Sequence, residues 1–115
     1  MRFYDINKKT PQNAQQCVIK EKFGKGIGIA GSSCLQFWYD DSRFMCHPNV
    51  VEWSPVPEHI TINPKGWSSE YRGDDLPSRN CDCLVCTDKN RLVKYAYFHD
   101  GKFLGHPDVI AYMEI

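Results

Sequence analysis

The sequence predicts an all-β protein built from two small antiparallel sheets in tandem, of SH3-like type. Three observations carry that prediction. The second half of the chain repeats the first. Each copy breaks into short β-rich runs separated by hairpin turns. Nowhere do apolar residues recur at helical spacing over a helix-length stretch.

An internal repeat sets the organisation of the chain. Residues 38–53, WYDDSRFMCHPNVVEW, match residues 97–112, YFHDGKFLGHPDVIAY, at an offset of 59 without a gap. Five of the sixteen positions are identical: Asp41 with Asp100, Phe44 with Phe103, His47 with His106, Pro48 with Pro107, and Val50 with Val109. Seven more are conservative, including Trp38 with Tyr97, Tyr39 with Phe98, Val51 with Ile110 and Trp53 with Tyr112. Twelve of sixteen exceeds convergence on a common turn. An upstream block matches at an offset of 66, pairing Pro11 with Pro77, Cys17 with Cys83, Val18 with Leu84 and Ile19 with Val85. The offsets differ by seven, so the first copy carries about seven extra residues, near the Gly-rich run Gly26–Ser32.

Each element then follows from residue type. Cys17-Val18-Ile19 and Cys83-Leu84-Val85-Cys86 are short apolar runs after a turn, and Leu35–Tyr39 and Leu92–Phe98 are rich in aromatic and β-favouring residues. Asp40-Asp41-Ser42 and His99-Asp100-Gly101 read as tight hairpin turns, with Gly101 suited to positive φ. Val50-Val51 and Val109-Ile110 open a last strand after each His-Pro. Pro55, Pro57 and Pro64 mark the connection. The domains read as 1–58 for the first repeat with its Gly-rich insertion, 59–66 for a linker, and 67–115 for the second repeat.

Size and composition narrow the function. The chain has 115 residues, 42% apolar and 24% charged, as a globular protein does. Small halves bury proportionally little surface, so two of them are expected to stabilise each other. Fourteen basic residues balance fourteen acidic ones and no basic run appears, which disfavours a general nucleic-acid binder. No apolar stretch has the length of a membrane helix, and Met1-Arg2-Phe3-Tyr4-Asp5 lacks a signal-peptide core. The expected location is cytoplasmic, in the host cell's cytoplasm for a viral gene, with the six cysteines as thiols.

The residues of copy two, Trp67, Leu76-Pro77, Cys83-Leu84-Val85-Cys86, Tyr95-Ala96-Tyr97-Phe98 and Asp100-Gly101, with Trp53-Ser54-Pro55-Val56-Pro57 closing copy one, resemble a short phage and prophage domain of unknown function. That domain opens with a Trp and a Leu-Pro, carries a VLVY strand and an AYYDGG hairpin, and ends in THWMPLP. The resemblance implies an accessory gene of a bacterial virus. The family has no established activity, so it transfers no catalytic residue. Copy two departs from it by stopping at Ile115 without the Pro-rich tail, and copy one by its Gly-rich insertion.

Several segments could carry chemistry. Gly26-Ile27-Gly28-Ile29-Ala30-Gly31 satisfies GxGxxG, yet no helical pattern follows, so a dinucleotide fold is rejected. It reads either as a hairpin or bulged strand, or as a loop whose bare amides approach a phosphate or a partner beside Lys25. Cys81-x-Cys83-x-x-Cys86 has strand rather than zinc-knuckle spacing, and alternation sends Cys86 to the face opposite Cys81 and Cys83, so no metal and no cofactor are expected. Cys34 and Cys46 are poor nucleophiles, because adjacent Cys46 and His47 side chains diverge and Cys46 matches Gly105. His47 and His106 either shape a turn before proline or, with Trp38, Tyr95 and Tyr97, line a groove shared by the two copies and suited to a nucleobase or a cyclic nucleotide.

The expected function is therefore binding without catalysis: a phage accessory protein that inhibits a bacterial host component, a defence system first, by direct protein contact. The alternative is a sponge that holds a small nucleotide signal in a pocket between repeats or subunits. A homodimer is compatible with either. The expected binding residues are Lys25, Gly26, Gly28, Trp38, His47, Tyr95, Tyr97 and His106.

Overall fold

The computed structural model describes residues 1–58, 60, 76–87 and 92–115. The chain divides into two compact units, Met1–Val56 and Pro57–Ile115. Both are antiparallel β-sheets, and no helix longer than a single 3₁₀ turn occurs among the described residues. The all-β expectation therefore holds. The linker at 59–66 and the opening Trp67 of the second repeat lie almost wholly outside the described residues.

The first unit contains β1 (Tyr4–Asp5), β2 (Gln16–Phe23), β3 (Gly26–Ile29), β4 (Leu35–Tyr39), β5 (Arg43–Phe44) and β6 (Val50–Pro55). Its sheet runs β1-β6-β2-β4-β5, and β3 also pairs with β2. The second unit contains β7 (Cys81–Cys86), β8 (Val93–His99), β9 (Lys102–Phe103) and β10 (Ala111–Glu114), in the order β10-β7-β8-β9. The path β6-β2-β4-β5 is thus repeated as β10-β7-β8-β9. The central strands match in register as well: Cys17 sits opposite Gln36 and Pro55, and Cys83 opposite Ala96 and Glu114.

The register corrects the ungapped alignment at one point. Trp38 pairs with Phe44 across its hairpin, but Phe103 pairs with Phe98 and not with Tyr97. Four positions separate Tyr39 from its partner Arg43, and three separate His99 from Lys102, so the first hairpin is one residue longer. Trp38 therefore corresponds to Phe98, Phe37 to Tyr97 and Asp40 to Asp100. The matching backbone bonds agree: Asp40 N–H donates to Asn13 Oδ1 at 3.1 Å, and Asp100 N–H to Asn80 Oδ1 at 3.0 Å. Seventeen positions separate the paired Val18 and Leu35, against eleven for Leu84 and Tyr95, so the insertion amounts to six residues and the hairpin supplies the seventh.

Alternation along the strands builds each core. In the first unit Cys17 and Ile19 of β2 meet Trp38, Phe44, Trp53 and Ile6. In the second, Cys83 and Val85 of β7 meet Ala96, Phe98, Phe103, Val109 and Tyr112. Trp38 stands edge-on to Phe44 with centroids 5.0 Å apart, and Phe98 is tilted against Phe103 at the same distance. Such aromatic pairs add roughly 0.5–1.5 kcal/mol beyond their buried area. Val18 and Leu84 face the other way and are also fully buried, so the middle strand of each sheet is covered on both faces.

Candidate functional site

The turn after β5 shapes an open cleft in the first unit. Phe44 anchors the strand in the core, Cys46 takes a left-handed conformation (φ 65°), and His47 N–H closes the turn on Phe44 O at 3.0 Å. Pro48 follows and fixes the exit. The resulting cleft, of about 580 Å³, is lined by Trp38, Ser42, Arg43, Phe44, His47 and Pro48 among others. The Arg43 guanidinium lies over the Trp38 ring, 5.5 Å from its centroid. His47 Nδ1 meets Glu21 Oε1 at 2.6 Å, and both side chains are largely buried. That pair orients the imidazole from β2 and leaves Nε2 without a protein partner among the described residues.

The second unit repeats the construction. Gly105 takes the left-handed position (φ 75°), and His106 N–H closes on Phe103 O at 3.1 Å. A cleft of about 450 Å³ is lined by Gly101, Lys102, Phe103, His106, Pro107 and Val109, with Leu76 at its side. Four of the five identities in the repeat, Phe, His, Pro and Val, line both clefts. Arg43 and Lys102 supply the same charge at the same place. The clefts also differ beside the histidine: continued past Cys86, the β2/β7 register puts Thr87 where copy one has Glu21, and His106 has no ion pair among the described residues.

Of the expected binding residues, Trp38 and His47 come together, and His106 takes the equivalent place in its own unit. Trp38 is 4% exposed and donates from Nε1 to Asp40 Oδ1 at 3.1 Å, so it serves as a wall and not as a stacking platform. Tyr95 and Tyr97 do not gather with His106. Ala96 and Phe98 fill the core from β8, and alternation sends Tyr95, Tyr97 and His99 to the other face. There the Tyr95 hydroxyl donates to Asp82 Oδ1, and Tyr97 stacks on His99 at 6.2 Å.

The Gly-rich insertion is a hairpin extension of the sheet. Phe23 pairs with Gly26, Lys22 with Ile27, Glu21 with Gly28 and Lys20 with Ile29, across a two-residue turn. Gly24 sits first in that turn with φ 55°, as type II′ hairpins favour. A side chain on Gly28 would come within 3.3 Å of Phe23 Cδ2, so the glycine makes room for the Phe23 ring. Gly26 and Gly28 are thus ladder residues, not a loop of bare amides around a phosphate, and Lys25 stands exposed at the tip. The hairpin exposes Phe23 by 51% and Ile27 by 56%.

The thiols sort by burial. Burial pushes the Cys17 thiol up to about 12 and raises Cys83 and Cys81 as well; for Cys81 the Glu114 carboxylate adds to the rise and the hydrogen bond from Cys83 opposes it. Raised thiols are poor nucleophiles at neutral pH. Cys81 and Cys83 lie with sulfurs 3.7 Å apart, and Cys86 projects from the opposite face of β7. Cys34 is fully buried, and Cys46 is exposed.

Sequence reasoning overlooked four features of this site. Glu21 lies 26 positions from His47, and only the fold joins them. Asn13 and Asn80 hold the two hairpins but are one position out of step in the upstream block, whose offset of 66 sets Asn13 against Arg79. Arg43 and Lys102 were already visible as an aligned basic pair. Phe23 was visible as an aromatic beside the glycines. No family model, no curated protein and no solved structure matches the chain. No helix among the described residues is long and apolar enough to cross a membrane.

Proposed function

We propose that this protein acts by binding, without catalysis, and that it inhibits a bacterial host component by direct protein contact. The observation that carries the reading is the copy-one hairpin. It displays Phe23 and Ile27 to solvent beside Lys25, on a segment six residues longer than its counterpart. Exposed large apolar side chains on a projecting element are what a protein interface uses as anchors. β3 also presents an uncharged edge, Gly26-Ile27-Gly28-Ile29, with no partner strand beyond β2 among the described residues. Such an edge accepts an added strand. The setting, a phage accessory gene directed at host defence, rests on the sequence resemblance alone.

The test removes Gly24–Ile29. β2 keeps β6 on one side and β4 on the other, and loop length changes closure entropy slowly, so the variant should fold. The intact protein, produced in host cells, should retain one host protein in stoichiometric amount. The shortened protein should lose it while keeping its circular-dichroism spectrum and cooperative melting. A folded variant that retains the same partner undiminished sinks the reading.

A further inference from the structure

We infer that each unit carries its own site for a small organic phosphate, so that one chain binds two such ligands at the Arg43/His47 cleft and the Lys102/His106 cleft. This goes beyond the protein-contact reading and does not depend on it. The internal duplication serves as its own comparison. Across residues that have otherwise drifted, the positions held in common around the clefts are a cation, an imidazole, a proline, a valine and a phenylalanine. Packing explains the Phe, buried in both units, and the Val, buried in the second unit and packed against the core in the first. Packing does not explain the cation, which is exposed in both units, or the imidazole, which is partly exposed in both.

The ligand class follows from the lining. Arg43 and Lys102 share a positive charge but not a shape: a guanidinium forks, and an ammonium is a point. A group that both can hold is one whose charge spreads over several oxygens, as a phosphate monoester does. The imidazole adds a second polar contact through Nε2 in the first unit, where Glu21 fixes the ring. The rest of the first lining mixes apolar Trp38, Phe44 and Pro48 with Asn7 and Ser42, and the rest of the second is mostly apolar, with Phe103, Pro107 and Val109. Volumes of about 580 and 450 Å³ lie within the usual range for small-ligand sites. A phosphate on a flat organic body fits both halves of that lining.

The probe is adenosine 5′-monophosphate, followed through the histidine ring signals in NMR at fixed pH, with adenosine and inorganic phosphate as controls. The His47 and His106 signals should move and that of His99 should stay, with calorimetry giving two sites per chain. Arg43→Ala should abolish the His47 response and spare that of His106, and Lys102→Ala should do the reverse, each with at least a fivefold loss of affinity. Arg43→Lys should keep most of the response, which separates charge from fold. Three results overturn the proposal: silent histidines at about 10 mM nucleotide, where even millimolar binding would show; equal responses to adenosine; or equal responses to inorganic phosphate. None of them touches the protein-contact reading, which rests on Phe23 and Ile27.

Discussion

The two units share a strand path and a cleft but solve the same turn with different residues. Copy one places Cys46 in a left-handed conformation where copy two has Gly105, braces His47 with Glu21 where copy two has Thr87, and extends β2 into a hairpin. Copy two keeps the minimal four-strand path among its described residues. The path is therefore the part that duplication cannot vary. Two of the additions in copy one, Glu21 and the hairpin, belong to the C-terminal half of β2, which reaches the cleft through Glu21. Asymmetry of function should be sought there, and what the copies share should be sought in the cleft.

The largest expected effect tests the corrected correspondence between the copies. Trp38 and Phe98 are both 4% exposed and each packs on the phenylalanine across its hairpin. Trp38→Ala and Phe98→Ala should each destabilise by about 3–5 kcal/mol. Tyr97, the partner that the ungapped alignment gives to Trp38, is 37% exposed on the outward face. Tyr97→Ala should cost no more than about 1 kcal/mol. Urea unfolding of the three variants measures this. Equal losses at Tyr97 and Trp38 would restore the ungapped pairing.

That example shows what was legible in the sequence. The β class, the hairpins and the His-Pro turn could be read because turn residues and β-rich runs are local signals. The register could not. Phe37, Trp38 and Tyr39 are three aromatics in a row, facing Tyr97, Phe98 and His99 in the repeat. Aromatic similarity scores well at either of two offsets, yet a slip of one residue exchanges core and solvent faces. For the same reason the sequence points Tyr95 and Tyr97 to the groove with His106, although alternation along β8 sends them away from it. The Glu21–His47 contact was out of reach because its two ends meet only through strand pairing.

The next effect separates what the copies share from what surrounds it. Cys17 and Cys83 hold the same ladder position, and neither is exposed. An ordinary thiol titrates near 9.0, while burial holds Cys17 up to about 12 and raises Cys83 too. Below the ordinary value both thiols are protonated whether the chain is folded or unfolded, so they add no pH dependence. Above it the unfolded chain ionises first, the folded chain keeps its protons, and stability falls with rising pH. The loss is at most about 1.4 kcal/mol per pH unit for each thiol. Cys17→Ala and Cys83→Ala should each remove one share of the slope measured between pH about 9 and 11. An unchanged slope in the double variant would assign alkaline unfolding to other groups and break the equivalence.

The smallest effect concerns the turn that builds both clefts. A side chain in the left-handed region costs roughly 1–2 kcal/mol, because its Cβ crowds the following carbonyl. Cys46 bears that cost at φ 65°, and Gly105 avoids it at φ 75°. Cys46→Gly removes the crowding but loosens the unfolded chain, which offsets about 0.5–1 kcal/mol of the gain. The net expectation is a stabilisation of at most about 1 kcal/mol. Gly105→Ala, the reverse exchange, should destabilise by about 1–2 kcal/mol, since nothing lies within 4 Å of the added Cβ and backbone strain is the main effect. Cys46→Ala is the control: it removes the thiol, keeps the Cβ, and should leave the melting temperature where it was. If Cys46→Gly lowers stability while Cys46→Ala does not, the left-handed turn in copy one is held by something other than backbone geometry. The two clefts would then not be copies of one design.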